Sequence, residues 1–189
     1  MDDFFTDAEL AQLRAHRIVI FAGRVIFDAQ APITAQQLAT VEAACIGPVP
    51  PGLLALWRQT CGGALDYDLT VRMNDGEEPI HWAELFGHGP EGFHDLAGWI
   101  DEERKSASGI GANAGAAGQP GTQEPAFSSK LAALPFGGFE DGERIYAVTD
   151  PGAQFGHIVA WKQGLPQAWP DAMHDDGVAT VATDLESAF

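Results

Sequence analysis

A few side chains in this sequence are of types and spacings that could do chemistry. Asp66 and Asp68 stand two apart in the alternating run Leu65-Asp66-Tyr67-Asp68-Leu69-Thr70-Val71. On a strand that spacing puts both carboxylates on one face, where a pair can serve acid–base or metal chemistry, meet a basic partner, or simply face solvent. His81, His88 and His94 suggest a metal site, but their spacing is not that of a helical histidine pair and neither cysteine supports them. His174-Asp175-Asp176 could ligate a metal or move a proton, yet it sits among Pro, Gly and Asp, which serve turns equally well. Gly109-Ile-Gly-Ala-Asn-Ala-Gly115 has the glycines of a phosphate-binding loop without a strand before it or an amphipathic helix after it. Cys45 and Cys61 fit no CxxC spacing and read as two buried thiols in a reducing compartment, with a disulfide as the alternative. No nucleophile stands beside a base.

These residues must be held by the elements around them. Leu134 to Trp161 is the organising stretch: Ile145-Tyr146-Ala147-Val148 and His157-Ile158-Val159-Ala160-Trp161 read as antiparallel strands joined through the Asp150-Pro151-Gly152 turn. Glu140, Asp141, Glu143 and Asp150 are expected in the flanking loops, and Gly137-Gly138 and Asp141-Gly142 as punctuation. Before this stretch, Thr6 with Glu9 and Thr34 with Gln37 each form a capping box, with Phe5/Leu10 and Ile33/Leu38 as staples. The first helix should end near His16. Ile18 to Phe21 and Val25 to Phe27 read as two short strands about Gly23, or one bent strand, buried on both faces.

Pro50-Pro51 opens a third helix with Leu53, Leu56, Trp57 and Thr60 inward and Gly62 or Gly63 as its cap. Residues 65–71 form a half-buried strand, followed by a turn at Asn74-Asp75-Gly76. Ile80 to Trp82 reads as a short strand and Trp82 to Phe86 as a helical turn. Phe93, Leu96, Ala97 and Ile100 mark an amphipathic helix to about Ser106. Residues 108–124 read as a Gly/Ala-rich loop within a single domain, and the chain closes on a short helix from Asp184 with Leu185 and Phe189 inward. Trp57, Trp82, Trp99 and Trp161 read as core anchors, and Trp169 as an exposed contact residue.

The chain is 189 residues long and 46% hydrophobic, enough for a real core and against general disorder. No apolar run approaches the ~18–20 residues of a membrane span, and the acidic start is unlike a secretory signal, so a cytoplasmic protein is expected. Net charge is −17, and the excess is spread: residues 51–107 hold 11 acids and 4 bases, and residues 108–189 hold 10 and 3. Such a field repels nucleic acid and anionic membranes and attracts basic proteins.

Three segments together resemble the SUKH superfamily, the bacterial immunity proteins grouped with the cell-wall regulators of the Smi/Knr type. They are Gly47-Pro-Val-Pro-Pro-Gly-Leu-Leu-Ala-Leu-Trp-Arg-Gln-Thr-Cys-Gly-Gly63; Leu134-Pro-Phe-Gly-Gly-Phe with Arg144-Ile-Tyr-Ala-Val-Thr-Asp150; and Gly156-His-Ile-Val-Ala-Trp161 with Val181-Ala-Thr-Asp-Leu-Glu-Ser-Ala-Phe189. The likeness spans roughly residues 47–189. Residues 1–33 read as an N-terminal extension to a core formed by 34–189. The resemblance implies an α+β fold, a twisted antiparallel sheet with helices packed around it. It implies no cofactor and no catalysis, only binding of a cognate toxin or, alternatively, scaffolding of another intracellular partner. With the charge, it points to a basic toxin held by Asp66, Asp68, Glu140, Asp141, Glu143, Asp175 and Asp176, with Trp169 as an anchor. A metal-dependent hydrolase using Asp66/Asp68 or His174/Asp175/Asp176 is the further alternative.

Overall fold

The structure, a computed structural model, describes residues 5–73, 76–88, 95–114, 130–139, 142–162 and 178–189. Both expected capping boxes form. In α1 (Asp7–Ala15) the Thr6 hydroxyl accepts the Glu9 N–H at 3.3 Å while the Glu9 carboxylate accepts the Thr6 N–H at 2.7 Å. In α2 (Ala35–Ala44) Thr34 and Gln37 repeat the device. Each cap satisfies N–H groups that the first helical turn cannot, and is worth about 1 kcal/mol. Between these helices, β1 (Val19–Phe21) and β2 (Arg24–Ile26) form a hairpin whose two-residue turn, Ala22-Gly23, has φ of 47° and 80°. Positive φ at both positions is the hairpin turn whose twist matches the strands, and Ala22 occupies it at a steric cost.

α3 (Pro51–Trp57) begins on its prolines and buries Leu53, Leu56 and Trp57. Its C-cap is Arg58, not the expected Gly62 or Gly63. Those two glycines, at φ of 113° and 153°, start the next strand so close to the β1–β2 hairpin that a Cβ on Gly63 would lie 2.9 Å from the Phe27 carbonyl oxygen.

Among the described residues the main sheet has six strands in sequence order, every neighbouring pair antiparallel: β3 (Gly63–Met73), β4 (Gly76–Leu85), β5 (Ala133–Phe139), β6 (Glu143–Val148), β7 (Ile158–Lys162) and β8 (Val178–Ala182). The protein is therefore α+β, a twisted antiparallel sheet with helices around it. The sheet curls so far that β8 comes back alongside β3. α4 (Leu96–Ala114) packs on β5, and α5 (Leu185–Ala188) on β8 and α3. Asp184 caps α5 as expected, accepting the Ser187 N–H at 2.8 Å.

The core lies inside the curl. Phe189 sits edge-on to Phe21, Tyr67 and Trp82, and Trp82 edge-on to Phe136, with centroids between 4.9 and 6.1 Å. Offset and edge contacts of this kind add to the burial of the rings themselves. Residues 1–33, expected as an extension, supply Val19, Phe21 and Ile26 to this core, and the Phe27–Ala64 bridge ties them to β3.

Several expectations are corrected. β4 is ten residues long, so Trp82 to Leu85 is strand and not a helical turn. β5 is a strand where glycine punctuation is expected, and β8 is a further strand before the closing helix. α4 continues to Ala114, into the expected 108–124 loop, and Ala97 lies on its exposed side. Val25 and Phe27 are exposed at 41% and 45%, so the β1–β2 hairpin is covered on one face only. Phe93 and residues 115–124 lie outside the described residues. No helix among the described residues is long and apolar enough to cross a membrane.

Candidate functional site

The two long strands β3 and β4 form a ribbon whose register places Asp68 opposite His81, Thr70 opposite Pro79 and Arg72 opposite Glu77. All six residues are exposed, and so is Asp66. The opposite face of the ribbon turns Tyr67, Ile80, Trp82 and Val71 to the core. Alternation therefore delivers Asp66 and Asp68 to solvent as expected, although a β-bulge between Ala64 and Tyr67 separates Asp66 from the regular ladder.

Asp68 and His81 form the closest polar contact of this face, Oδ1 to Nδ1 at 2.6 Å. That hydrogen bond, followed by the negative charge of Glu143, holds the His81 imidazole above its ordinary range. Phe139 lies edge-on to the ring at 5.6 Å.

Glu143 is not the loop residue expected. It opens β6, is 6% exposed, and turns toward β4. The reason lies in the sheet: β4 pairs with β5 only at Glu84–Gly138 and Leu85–Gly137 among the described residues, so most of β4 runs past the end of β5. Backbone groups left without a strand need other partners. The Glu143 carboxylate accepts the His81 N–H at 2.6 Å, and Lys162 Nζ donates to the Pro79 carbonyl at 2.9 Å. The two side chains face each other across the β6–β7 register at 3.4 Å, and Glu78 lies 3.7 Å from Lys162. A charged pair thus bolts the ribbon to the sheet. The Glu143 carboxylate thus has a supporting task within the sheet, where it is nearly buried.

A second polar cluster lies beneath α4. The Arg144 guanidinium stacks 3.4 Å above the Trp99 ring and 5.9 Å from Trp161, with the residue only 5% exposed. Beside it the Tyr146 hydroxyl donates to Glu103 at 2.8 Å. Burial pushes the Glu103 carboxyl up, and the Tyr146 hydrogen bond and the Arg144 charge work against that rise. Neither cluster was read from the sequence. The first was within reach: counting outward from Asn74-Asp75 as a hairpin turn pairs Asp68 with His81. The second depends on where α4 lands on the sheet, which no local pattern records.

The arrangement has limited chemistry. Asp68 orients His81 as an acid does in a nucleophilic triad, but no hydroxyl or thiol among the described residues hydrogen-bonds the ring. Cys45 and Cys61 are free and buried, and burial pushes their thiols up to about 11 and about 12, away from the reactive thiolate. His88 is half-buried beyond the end of β4, and burial lowers its basicity. Among the described residues no group of three or more His, Cys, Asp or Glu could hold a metal ion. Glu140, Asp141, Trp169, His174, Asp175, Asp176 and His94, all named from the sequence, lie outside the described residues. Compared with protein-family models, curated proteins and solved structures, the chain matches none.

Proposed function

We propose that this is a non-catalytic binding protein of the SUKH immunity type, acting in the cytoplasm, which neutralises a cognate basic protein toxin by direct contact. The observation that carries the reading is the open face of the β3–β4 ribbon. Asp66, Asp68 and Glu77 stand exposed there, with His81 and Arg72 between them, on a chain of net charge −17. Carboxylates spaced along a rigid ribbon present a fixed negative stripe, and a fixed stripe steers a basic partner without paying for loop ordering. The cluster of Asp68, His81, Glu143 and Lys162 is then a support for that stripe.

The test begins with a pull-down from the native host using the whole chain as bait. A stoichiometric basic partner whose toxicity is relieved by co-expression is the expected result. Its association rate should fall steeply with added salt, and Asp66→Ala with Asp68→Ala should slow association by about tenfold while leaving dissociation largely unchanged. A rate flat in salt overturns the electrostatic reading. Recovery of a housekeeping assembly in place of a toxin overturns the immunity reading in favour of a scaffold.

A further inference from the structure

The negative charge is unevenly divided along the chain. Residues 1–60 hold six acidic and four basic side chains; residues 61–189 hold 21 and six. Nearly all of the net charge therefore lies outside the first sixty residues. Within that near-neutral third, α1 buries none of its residues. Phe5 and Leu10 are exposed at 44% and 41%. A groove of about 380 Å³ runs between α1 and β1, lined by the apolar Phe5, Leu10, Leu13, Ile18 and Ile20 and by Arg14, whose guanidinium also donates to the Gln59 carbonyl at 2.8 Å. A helix that leaves its apolar stripe uncovered normally has a partner for it.

The charges on α1 say which partner. Its first turn carries Asp7 and Glu9, its last turn Arg14, and His16 is the C-cap. A two-fold axis between Leu10 and Leu13 sets Leu10 against Leu13 of a second copy. The same axis puts like flanks together, which brings Asp7 near Arg14 of the second copy on one side of the stripe and Glu9 near His16 on the other, each pair occurring twice. The stripe and its flanking charges are thus self-complementary in an antiparallel pairing, which is the requirement of an isologous interface. This is also the part of the surface where two chains of −17 approach with least repulsion.

We infer that α1 and its groove form a homodimer contact, antiparallel about Leu10 and Leu13, in the near-neutral third of the chain. One nine-residue helix and its groove make a small interface, below the ~1,200 Å² of a standard stable complex, so the dimer is weak and concentration-dependent. Its salt dependence is opposite to that of a basic partner: screening relieves the repulsion between two acidic bodies, so added salt strengthens it.

Sedimentation equilibrium on the whole chain tests this, from about 10 to about 500 µM at about 0.05 M and about 0.5 M salt. Dimer growing with concentration and with salt is expected. Leu10→Glu and Leu13→Glu should each weaken it at least tenfold with the circular dichroism spectrum unchanged. Ile46→Glu, an exposed apolar position outside the groove, should leave it as it was. A monomer at every concentration overturns the inference, as does a dimer that survives both leucine variants or is lost equally in Ile46→Glu. None of these results bears on the toxin-binding proposal, which rests on the β3–β4 ribbon.

Discussion

The centre of the sheet and the β3–β4 ribbon are made of the same antiparallel ladder and are held in place differently. In β6 every residue from Glu143 to Ala147 is buried: Ile145 and Ala147 belong to the core, and Arg144 and Tyr146 face α4. In β3 and β4 only alternate residues are buried, because nothing among the described residues covers the outer face. The sheet centre is a layered structure closed from both sides. The ribbon is closed from one side by Trp82 and its neighbours, and pinned at its free edge by Glu143 and Lys162. A strand that outruns its neighbour can have its backbone satisfied by side chains, and it remains available to a partner on its other face.

If the aromatic core carries the ribbon's inner face, Trp82→Ala should be the most damaging change in the molecule. Trp82 is fully buried and touches Tyr67, Phe136 and Phe189. Its truncation should cost roughly 3–5 kcal/mol in urea unfolding. A loss below about 1 kcal/mol would mean the ribbon closes over the space without it.

The sheet centre has its own point of failure. Arg144→Met should cost about 3 kcal/mol, through lost stacking on Trp99 and a half-buried Glu103 deprived of the nearby positive charge. The two contributions separate by titration. Arg144 holds the Glu103 carboxyl down, so its removal should raise that pKa further, and stability should then fall more steeply as pH rises above the ordinary carboxylate value, where the half-buried carboxyl must ionise. An unchanged Glu103 titration would assign the whole effect to packing.

The contrast between the regions also explains what the sequence could reveal. Alternation in Leu65 to Val71 read correctly because solvent covers one face and core the other, so the covering is written in every second residue. Capping boxes at Thr6 and Thr34 read correctly because cap chemistry is local. β5 did not, because Leu-Pro-Phe-Gly-Gly-Phe carries its meaning in close approaches. A Cβ on Gly137 would come within 2.6 Å of the Glu84 carbonyl oxygen, so the glycine is there for the neighbouring strand and not for a turn. Glu143 was misread for a related reason: a carboxylate beside Asp-Gly resembles a loop residue, and its true partner, the His81 N–H, lies 62 positions away.

The bolt is the next test of the comparison. Glu143→Ala leaves the partly buried His81 N–H without its acceptor and Lys162 without its nearer carboxylate. The cost should be about 1–3 kcal/mol. Its distribution matters more than its size. Amide exchange should accelerate across Asp66 to Ala83 and stay slow in β6 and β7, because the sheet centre does not depend on the bolt. Glu143→Gln, which keeps an acceptor oxygen, should recover much of the protection. Equal acceleration in both regions would mean that ribbon and sheet open as one unit and that the distinction between them is only geometric.

The smallest expected effect concerns pH, and it belongs to the ribbon alone. The Asp68 hydrogen bond, with the charge of Glu143 behind it, raises the folded-state pKa of His81 above the ordinary 6.5. A raised folded value means that the folded state holds the proton more tightly than the unfolded chain. The stabilisation is therefore complete below the unfolded pKa and is lost as pH rises through the folded one. Amide protection of the ribbon should weaken on that alkaline side, beyond the ordinary pH dependence of exchange, and His81→Gln should remove this added weakening. Asp68→Asn should bring the His81 titration, followed by its ring proton resonances, back toward its ordinary value. The same proton changes the face that the ribbon presents: with His81 charged, the stripe of Asp66, Asp68 and Glu77 loses one unit of negative charge. A basic partner should therefore associate faster above the His81 pKa than below it, while the ribbon itself is firmer below. Opposite pH trends in stability and association would tie the imidazole to both roles, and a His81 that titrates at or below its ordinary value would remove it from both.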